Sequence, residues 1–199
     1  LLENGFNLFD EGLNQPDIVV PTHLHFDHAL GCAKLENNKL VPAFPNATYI
    51  FHADELAHAL EVHPMTRSSY RKETIEGVKA VLEQGDVTRM SEDQMEIEPG
   101  ITLIRTRGHT PGHLSIKIES EGQVALIPGA LFPSRFHALA PCKVGNDTHP
   151  LEAYDNWKKP FLEQAAQGNW LILLEHDPDI AFRVLQDEKG NYQLIPVPT

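Results

Sequence analysis

Cysteine is scarce in this chain: two among 199 residues, Cys32 and Cys142. They form neither a C-x-x-C pair nor a disulfide framework, which fits a reducing compartment and makes a cytoplasmic location the expectation. Both thiols read as small buried hydrophobes. Basic residues are also in deficit, with 16 Lys and Arg against 28 Asp and Glu and a formal net charge of −12. Such a surface repels polyanions, so a nucleic-acid substrate is disfavoured. No apolar run approaches the roughly 18 residues of a membrane span, so no membrane partner is expected. Internal repeats, low-complexity tracts and interdomain linkers are missing as well. The chain opens on Leu1 rather than Met, and nothing about a leader follows from that.

What remains is a chain that is 41% hydrophobic and 22% charged, long enough for one domain with a sizeable core over residues 1–199. Asp17 to Thr22 predicts a short buried strand, and a helix is expected to start at Asp27 and run to about Leu35. Residues 41–46 form a Pro-broken loop, 47–52 a strand and 53–62 a helix. Ile75, Val78, Val81 and Leu82 sit at helical spacing within a second helix over about 68–83. The period then changes to two, which predicts strands at 95–97, 101–106, 114–118 and 124–127. Residues 128–150 are irregular. Pro150 opens a helix over about 151–166 that Pro160 should kink or divide. An apolar strand at 170–174 and a hairpin of 180–186 with 192–197 complete the pattern. Interleaved strands and helices predict one layered α/β domain.

The chemistry is concentrated at residues 22–28, Thr-His-Leu-His-Phe-Asp-His, where three histidines and one aspartate fall within six positions. Imidazole and carboxylate are the usual ligands of Zn²⁺ and related metals. Alternate residues of extended backbone share a face, so His23 and His25 can reach one ion. Asp27 and His28 lie where the chain turns into a helix and can be aimed at a second. Six residues cannot complete such a site, and further ligands are expected at strand ends. His109, in Gly-His-Thr-Pro-Gly-His at 108–113, and His176, in Glu-His-Asp-Pro at 175–178, meet that expectation. A third strand end, Pro128-Gly129-Ala130-Leu131, carries alanine where a bridging carboxylate would be useful.

With these three pieces in this order, the chain resembles the metallo-β-lactamase superfamily, and within it the lactonase-like hydrolases related to N-acyl homoserine lactone lactonases. Phe44-Pro45-Asn46-Ala47 and Pro150-Leu151-Glu152 add to the likeness. The resemblance implies an αββα sandwich whose N-terminal strands fall outside the chain. It implies one metal held by His23, His25 and His109 and a second by Asp27, His28 and His176. In the family an aspartate bridges the two ions; here that position is Ala130.

The ligand set, with three histidines around one ion, leaves a position open for water, as catalytic rather than structural zinc sites do. The function implied is a metal-dependent hydrolase in which a metal-bound hydroxide opens a lactone or similar small-molecule ester, with Asp27 as the catalytic proton carrier. Zn²⁺, one or two ions, suits the ligands; Mn²⁺, Fe²⁺ and Co²⁺ do so to differing degrees. A competing expectation is a catalytically weakened metal- or ligand-binding relative, because a methyl group at Ala130 removes one ligand from each ion and one negative charge between them. A third is a non-enzymatic role in an assembly, since strand edges left without an N-terminal layer would pair with another chain, giving a homo-oligomer.

Around the ligands, His113 is expected to support or pack beside them rather than bind metal. His52, His58, His63, His137 and His149 carry no ligand spacing and read as satisfied polar residues. Asp177 should turn the chain after His176, and Asp147 is a weaker candidate for supporting a ligand. Phe132, Phe136, Leu139 and Ala140 read as core slightly ahead of pocket lining.

Overall fold

The computed structural model describes residues 16–139 and 142–197. They fall into two compact units, one comprising residues up to 51 together with 59–90, the other 52–58 together with 91 onward.

In the first unit, strand β1 (Ile18–Val19) is followed by the histidine loop and a single helical turn, α1 (Phe26–Ala29). A 3-10 turn over Leu30–Cys32 follows, and the chain then becomes a hairpin of β2 (Ala33–Glu36) and β3 (Lys39–Pro42). The helix expected to reach Leu35 therefore stops early. Asn37 and Asn38 take positive φ angles of 49° and 61°, the backbone of a two-residue hairpin turn that asparagine tolerates, and the reversal pairs Ala33 with Pro42. Strand β4 (Thr48–His52) runs parallel to β1; helix α2 (Ala53–Leu60), which follows it in the chain, belongs up to residue 58 to the second unit. Helix α3 (Lys72–Gln84) buries Ile75, Val78, Ala80 and Val81 and packs on β2 and β3. Strand β5 (Asp86–Met90), unforeseen from the sequence, completes a three-stranded sheet in the order β1-β4-β5.

In the second unit a seven-stranded sheet is built from β6 (Gln94–Glu98), β7 (Ile101–Arg105), β8 (Leu114–Ser120), β9 (Gln123–Ile127), β10 (Leu171–Leu173), β11 (Ala181–Gln186) and β12 (Tyr192–Pro196), adjacent in that order. Every pair is antiparallel except β9 with β10, which the helical segment 150–168 joins as a crossover. That segment is α4 (Pro150–Glu152), a π-helical turn (Ala153–Lys158) and α5 (Lys159–Gly168). Pro160 divides it as expected. Within the wide turn Lys159 N–H reaches back to Tyr154 O, so the missing proline donor falls where the bonding register is already shifted. Helix α5 lies against β11, and Leu126, Phe132, Leu162, Ile172 and Phe182 form the centre of the apolar core. No helix among the described residues is long and apolar enough to cross a membrane.

Candidate metal centre

The first unit carries four of the six candidate ligands on one short loop. His23 and His25 are 1% and 4% exposed, an unusual depth for imidazole without a partner. Their partners are visible within the loop. Thr22 Oγ1 lies 3.0 Å from His23 Nδ1, and His23 Nε2 lies 3.0 Å from His25 Nδ1. Two nitrogens sharing one tetrahedral Zn²⁺ at about 2.0–2.1 Å stand about 3.3 Å apart, so the pair sits close to the spacing that one ion would impose. The His28 ring is 4.1 Å from that of His23, centroid to centroid. Asp27, exposed, places Oδ2 3.5 Å from His28 Nε2.

The loop holds its shape through local bonds. His25 O accepts the N–H groups of His28 and Ala29, which closes the first turn of α1. Phe26 N–H donates to Ser69 O at 2.9 Å, Arg71 covers the Phe26 ring at 3.6 Å, and the Tyr70 ring meets His25 edge-on at 4.7 Å. The 69–71 segment, unremarkable in sequence, therefore pins the histidine loop from outside.

In the second unit His109 follows β7 on a tight loop and is 2% exposed. Its Nδ1 lies 2.8 Å from Asp147 Oδ1. A carboxylate only accepts, so Nδ1 carries the proton and Nε2 keeps its lone pair for a metal. Asp147 is itself fixed, its other oxygen accepting Val144 N–H at 3.1 Å. The two segments are laced together: His149 N–H and the Thr148 hydroxyl donate to Gly108 O, and Thr148 N–H to His109 O. Gly108 is required here, since at φ 138° a Cβ would stand 2.4 Å from Ala153 Cβ. On the other side, buried Glu55 accepts the Thr110 hydroxyl at 2.5 Å and Gly112 N–H at 3.2 Å.

His113 is fully buried and supports the neighbouring turn. Ala130 N–H donates to His113 Nε2 at 3.1 Å, so Nδ1 carries the ring proton and faces Thr106 Oγ1 at 2.7 Å. Thr106 Oγ1 is 2.9 Å from Ser115 Oγ, which donates to Pro128 O at 3.1 Å. This relay fastens the Gly129-Ala130 turn to β8. His176, exposed, follows β10, with its N–H on Pro133 O at 3.0 Å. Asp177 turns the chain there and takes the Arg135 guanidinium and backbone N–H, which holds its carboxyl down at about pKa 2.

The structure thus gathers His23, His25, Asp27 and His28 in one unit and orients His109 in the other, with His176 at a separate strand end of that second unit. His63, His137 and His149 each use Nδ1 locally, with Met65 N–H, Ser134 and Thr148 as partners. His52 accepts Asp54 N–H, and burial followed by nearby Arg105 pushes its pKa down. Cys32 is buried as expected, but Cys142 is exposed, because it leads an irregular segment. Phe132 is core; Phe136 is 65% exposed, a correction that follows from its place on a surface 3-10 turn, and Leu139 is at the margin. Ala140 lies outside the described residues. Asp147 proves more firmly engaged than its sequence position suggested, and Glu55 was missed, for an acid in the first turn of a helix carries no signal of burial.

The chain matches the metallo-beta-lactamase superfamily over residues 3–176. It is 35% identical over 104 residues to an N-acyl homoserine lactonase of Bacillus thuringiensis subsp. kurstaki, a match covering 52% of this chain and 33% of that protein. A probable metallo-hydrolase of Methanocaldococcus jannaschii is 28% identical over 110 residues, 55% of this chain and 48% of the relative. The chain therefore spans between a third and a half of the length of these relatives. Among solved structures, a probable metal-dependent hydrolase from Staphylococcus aureus superposes with a TM-score of 0.75 at 26% identity, over 92% of this chain and 63% of the other. An N-acyl homoserine lactone hydrolase with N-hexanoyl-L-homoserine at its catalytic metal centre gives 0.61 at 28%, over 81% and 56%. The mixed α/β architecture matches these fold neighbours, and the chain belongs to the metallo-beta-lactamase superfamily.

Proposed function

We propose that this chain is one domain, residues 1–199, of a metal-dependent hydrolase that opens a lactone or similar small-molecule ester. His23, His25 and His109 would hold one divalent ion, and Asp27, His28 and His176 a second, with Zn²⁺ the metal best suited to the donors. The observation that carries this reading is the buried His23–His25 pair, with ring nitrogens 3.0 Å apart, in a chain of this superfamily. His109 supports it: Asp147 fixes the tautomer that leaves Nε2 available. Bound there, the ion supplies Lewis acidity and a water of lowered pKa.

The chain's own residues do the rest. Thr22 and Asp147 hold His23 and His109 in fixed orientations, so no reorganisation is needed when substrate arrives. Asp27, exposed beside His28, would take a proton and return it to the leaving alkoxide if it is not a firm metal ligand. The lactone preference is supported by the lactonase relatives, and the acidic surface argues against polyanionic phosphodiesters.

One observation favours a second reading, a weakened relative. Ala130 is 4% exposed and offers only a methyl group where the resemblance implies a bridging carboxylate. Elemental analysis of the purified protein together with turnover of N-acyl homoserine lactones tests both. Bound metal and lactone opening that fall together in His23→Ala and His109→Ala support the hydrolase. Metal with turnover no faster than in the two variants supports the weakened relative, and full activity after metal removal sinks both.

A further inference from the structure

The second unit holds a cavity of about 430 Å³ lined by Leu131, Cys142, Asp147, Leu151, Tyr154 and Lys158 among others. That lies in the usual range of small-molecule sites, about 300–1,000 Å³. Its wall is mostly apolar, yet it contains a buried cation: Lys158 is 3% exposed. The π-helical turn Ala153–Lys158 puts Tyr154 and Lys158 on the same wall, and such wide turns occur disproportionately at functional sites.

Lys158 Nζ donates to Cys142 O at 2.6 Å, and no carboxylate stands at ion-pair distance from it among the described residues. An ammonium has three donors, and a buried charge left without a counter-charge is costly. Burial pushes the Lys158 pKa down, with Cys142 and then Asp147 acting in the opposite sense. Asp147 is the acidic group of the cavity wall, and both its oxygens are already engaged by His109 and Val144. A monoanion entering from solvent would therefore meet a buried ammonium whose near neighbours are Cys142 O and the Tyr154 ring, with no carboxylate paired to it among the described residues.

We propose that this cavity is a carboxylate subsite: it binds an organic monocarboxylate with an apolar body, the carboxylate on Lys158 Nζ and the body along Leu131, Leu151 and Tyr154. The buried Lys158 ammonium matches one carboxylate; the second lysine of the lining, Lys143, is exposed, and further negative charge would face Asp147. Calling this ligand part of the substrate or product rests on the hydrolase reading; the binding itself does not.

Calorimetric titration of the purified protein with octanoate and with 1-octanol, as isolated and again after dialysis against EDTA, tests the proposal. Saturable octanoate binding is expected in both states, at least tenfold tighter than 1-octanol. Lys158→Met, which keeps the stem and removes the charge, should weaken octanoate at least tenfold and leave 1-octanol unchanged. Equal octanoate affinity in the variant, binding confined to the metal-bearing state, or no saturable binding would each overturn the subsite. Should Lys158→Met fail to fold by circular dichroism, Leu151→Glu gives the answer from the rim, where residue 151 is 79% exposed: several-fold weaker octanoate supports the proposal and unchanged octanoate overturns it. A protein that holds octanoate but neither binds metal nor opens lactones would refute the hydrolase reading and leave the subsite standing.

Discussion

Replacing Asp147 should weaken metal binding without unfolding the protein, and the two obvious substitutions should differ. In the native arrangement one Asp147 oxygen accepts His109 Nδ1–H at 2.8 Å and the other accepts Val144 N–H at 3.1 Å. Both acceptors are needed. In Asp147→Asn the amide oxygen stays on Val144 N–H, which has no other acceptor among the described residues, and the NH₂ group is turned toward His109 Nδ1. Donor then faces donor, and the imidazole relieves the clash by moving its proton to Nε2, the nitrogen a metal needs. In Asp147→Ala the Nδ1–H loses its Asp147 acceptor but faces no opposing donor. Carboxylates behind metal-binding histidines are worth about 10–100-fold in metal affinity, or about 1.4–2.7 kcal/mol. We expect Asp147→Ala in that range and Asp147→Asn at its upper end. Competition for Zn²⁺ against a chromophoric chelator measures this, with thermal melts to show that both variants fold. A folded Asp147→Asn within twofold of the parent affinity would refute the tautomer argument.

Three further outcomes follow from neighbouring geometry. Ala130→Asp should raise the metal content by one ion per chain and lower the melting temperature of the metal-free protein, because position 130 is buried and an unpaired buried carboxylate is costly; unchanged metal content by elemental analysis would show that no ion lies within reach of this residue. Thr106→Val keeps the shape but removes the acceptor facing the His113 Nδ1–H, while Ser115 keeps its bond to Pro128 O, and urea unfolding should report a loss of about 1–3 kcal/mol, against the reasoning if it is below about 0.5. Burial pushes the Cys32 thiol up to about 12 from 9.0, while Cys142 is exposed. At pH 8 the folded protein should thus react with one equivalent of a thiol reagent, and two fast equivalents would contradict the burial. The raised pKa means the folded state keeps a proton that the unfolded chain sheds, so this contribution to stability is complete below pH 9 and is lost as pH rises from about 9 to 12.

The sequence was most informative where a period or a spacing is local. Strands β6 to β9 follow from alternation punctuated by glycine and proline, and the candidate ligands from histidines at strand ends. Strand β5 escaped because Asp-Val-Thr-Arg-Met carries little alternation of its own; pairing with β4 makes it a strand. The hairpin of β2 and β3 escaped because the helical start at Asp27 was carried too far, although Asn37-Asn38 was the turn signal. Proline at 160 marked the break in the last helix, but a π-helical turn shifts bonding register by one residue and leaves no compositional trace. The residues that steady the site were the least legible. Asp147 is 38 positions from His109, and Glu55 is 55 from Thr110. Only folding brings such pairs together, and in each case the partner is a polar residue with several plausible surface roles.

The turn at Gly129-Ala130 separates two things that the sequence alone presents as one. If alanine there meant a decayed site, the backbone should have lost its reason to hold the ligand position. Instead Ala130 N–H is bonded to His113 Nε2, His113 is fixed through Thr106 and Ser115, and Ser115 closes on Pro128 O. None of these bonds uses the side chain of residue 130. The turn is therefore specified independently of the group it presents, and a methyl in place of a carboxylate costs the fold nothing; it spares the metal-free protein a buried charge. What changes is electrostatic. Two dications held by the two proposed ligand sets would repel one another, and without an intervening charge the second would be held less well. The proposed set of His23, His25 and His109 is buried and made of imidazoles alone, donors that would hold Zn²⁺ without a carboxylate, whereas the proposed set of Asp27, His28 and His176 is exposed or half-buried. On this ground the first ion should bind well before the second as metal is added back to the stripped protein. A single step admitting both ions at equal affinity would mean that another carboxylate does the work of the missing one.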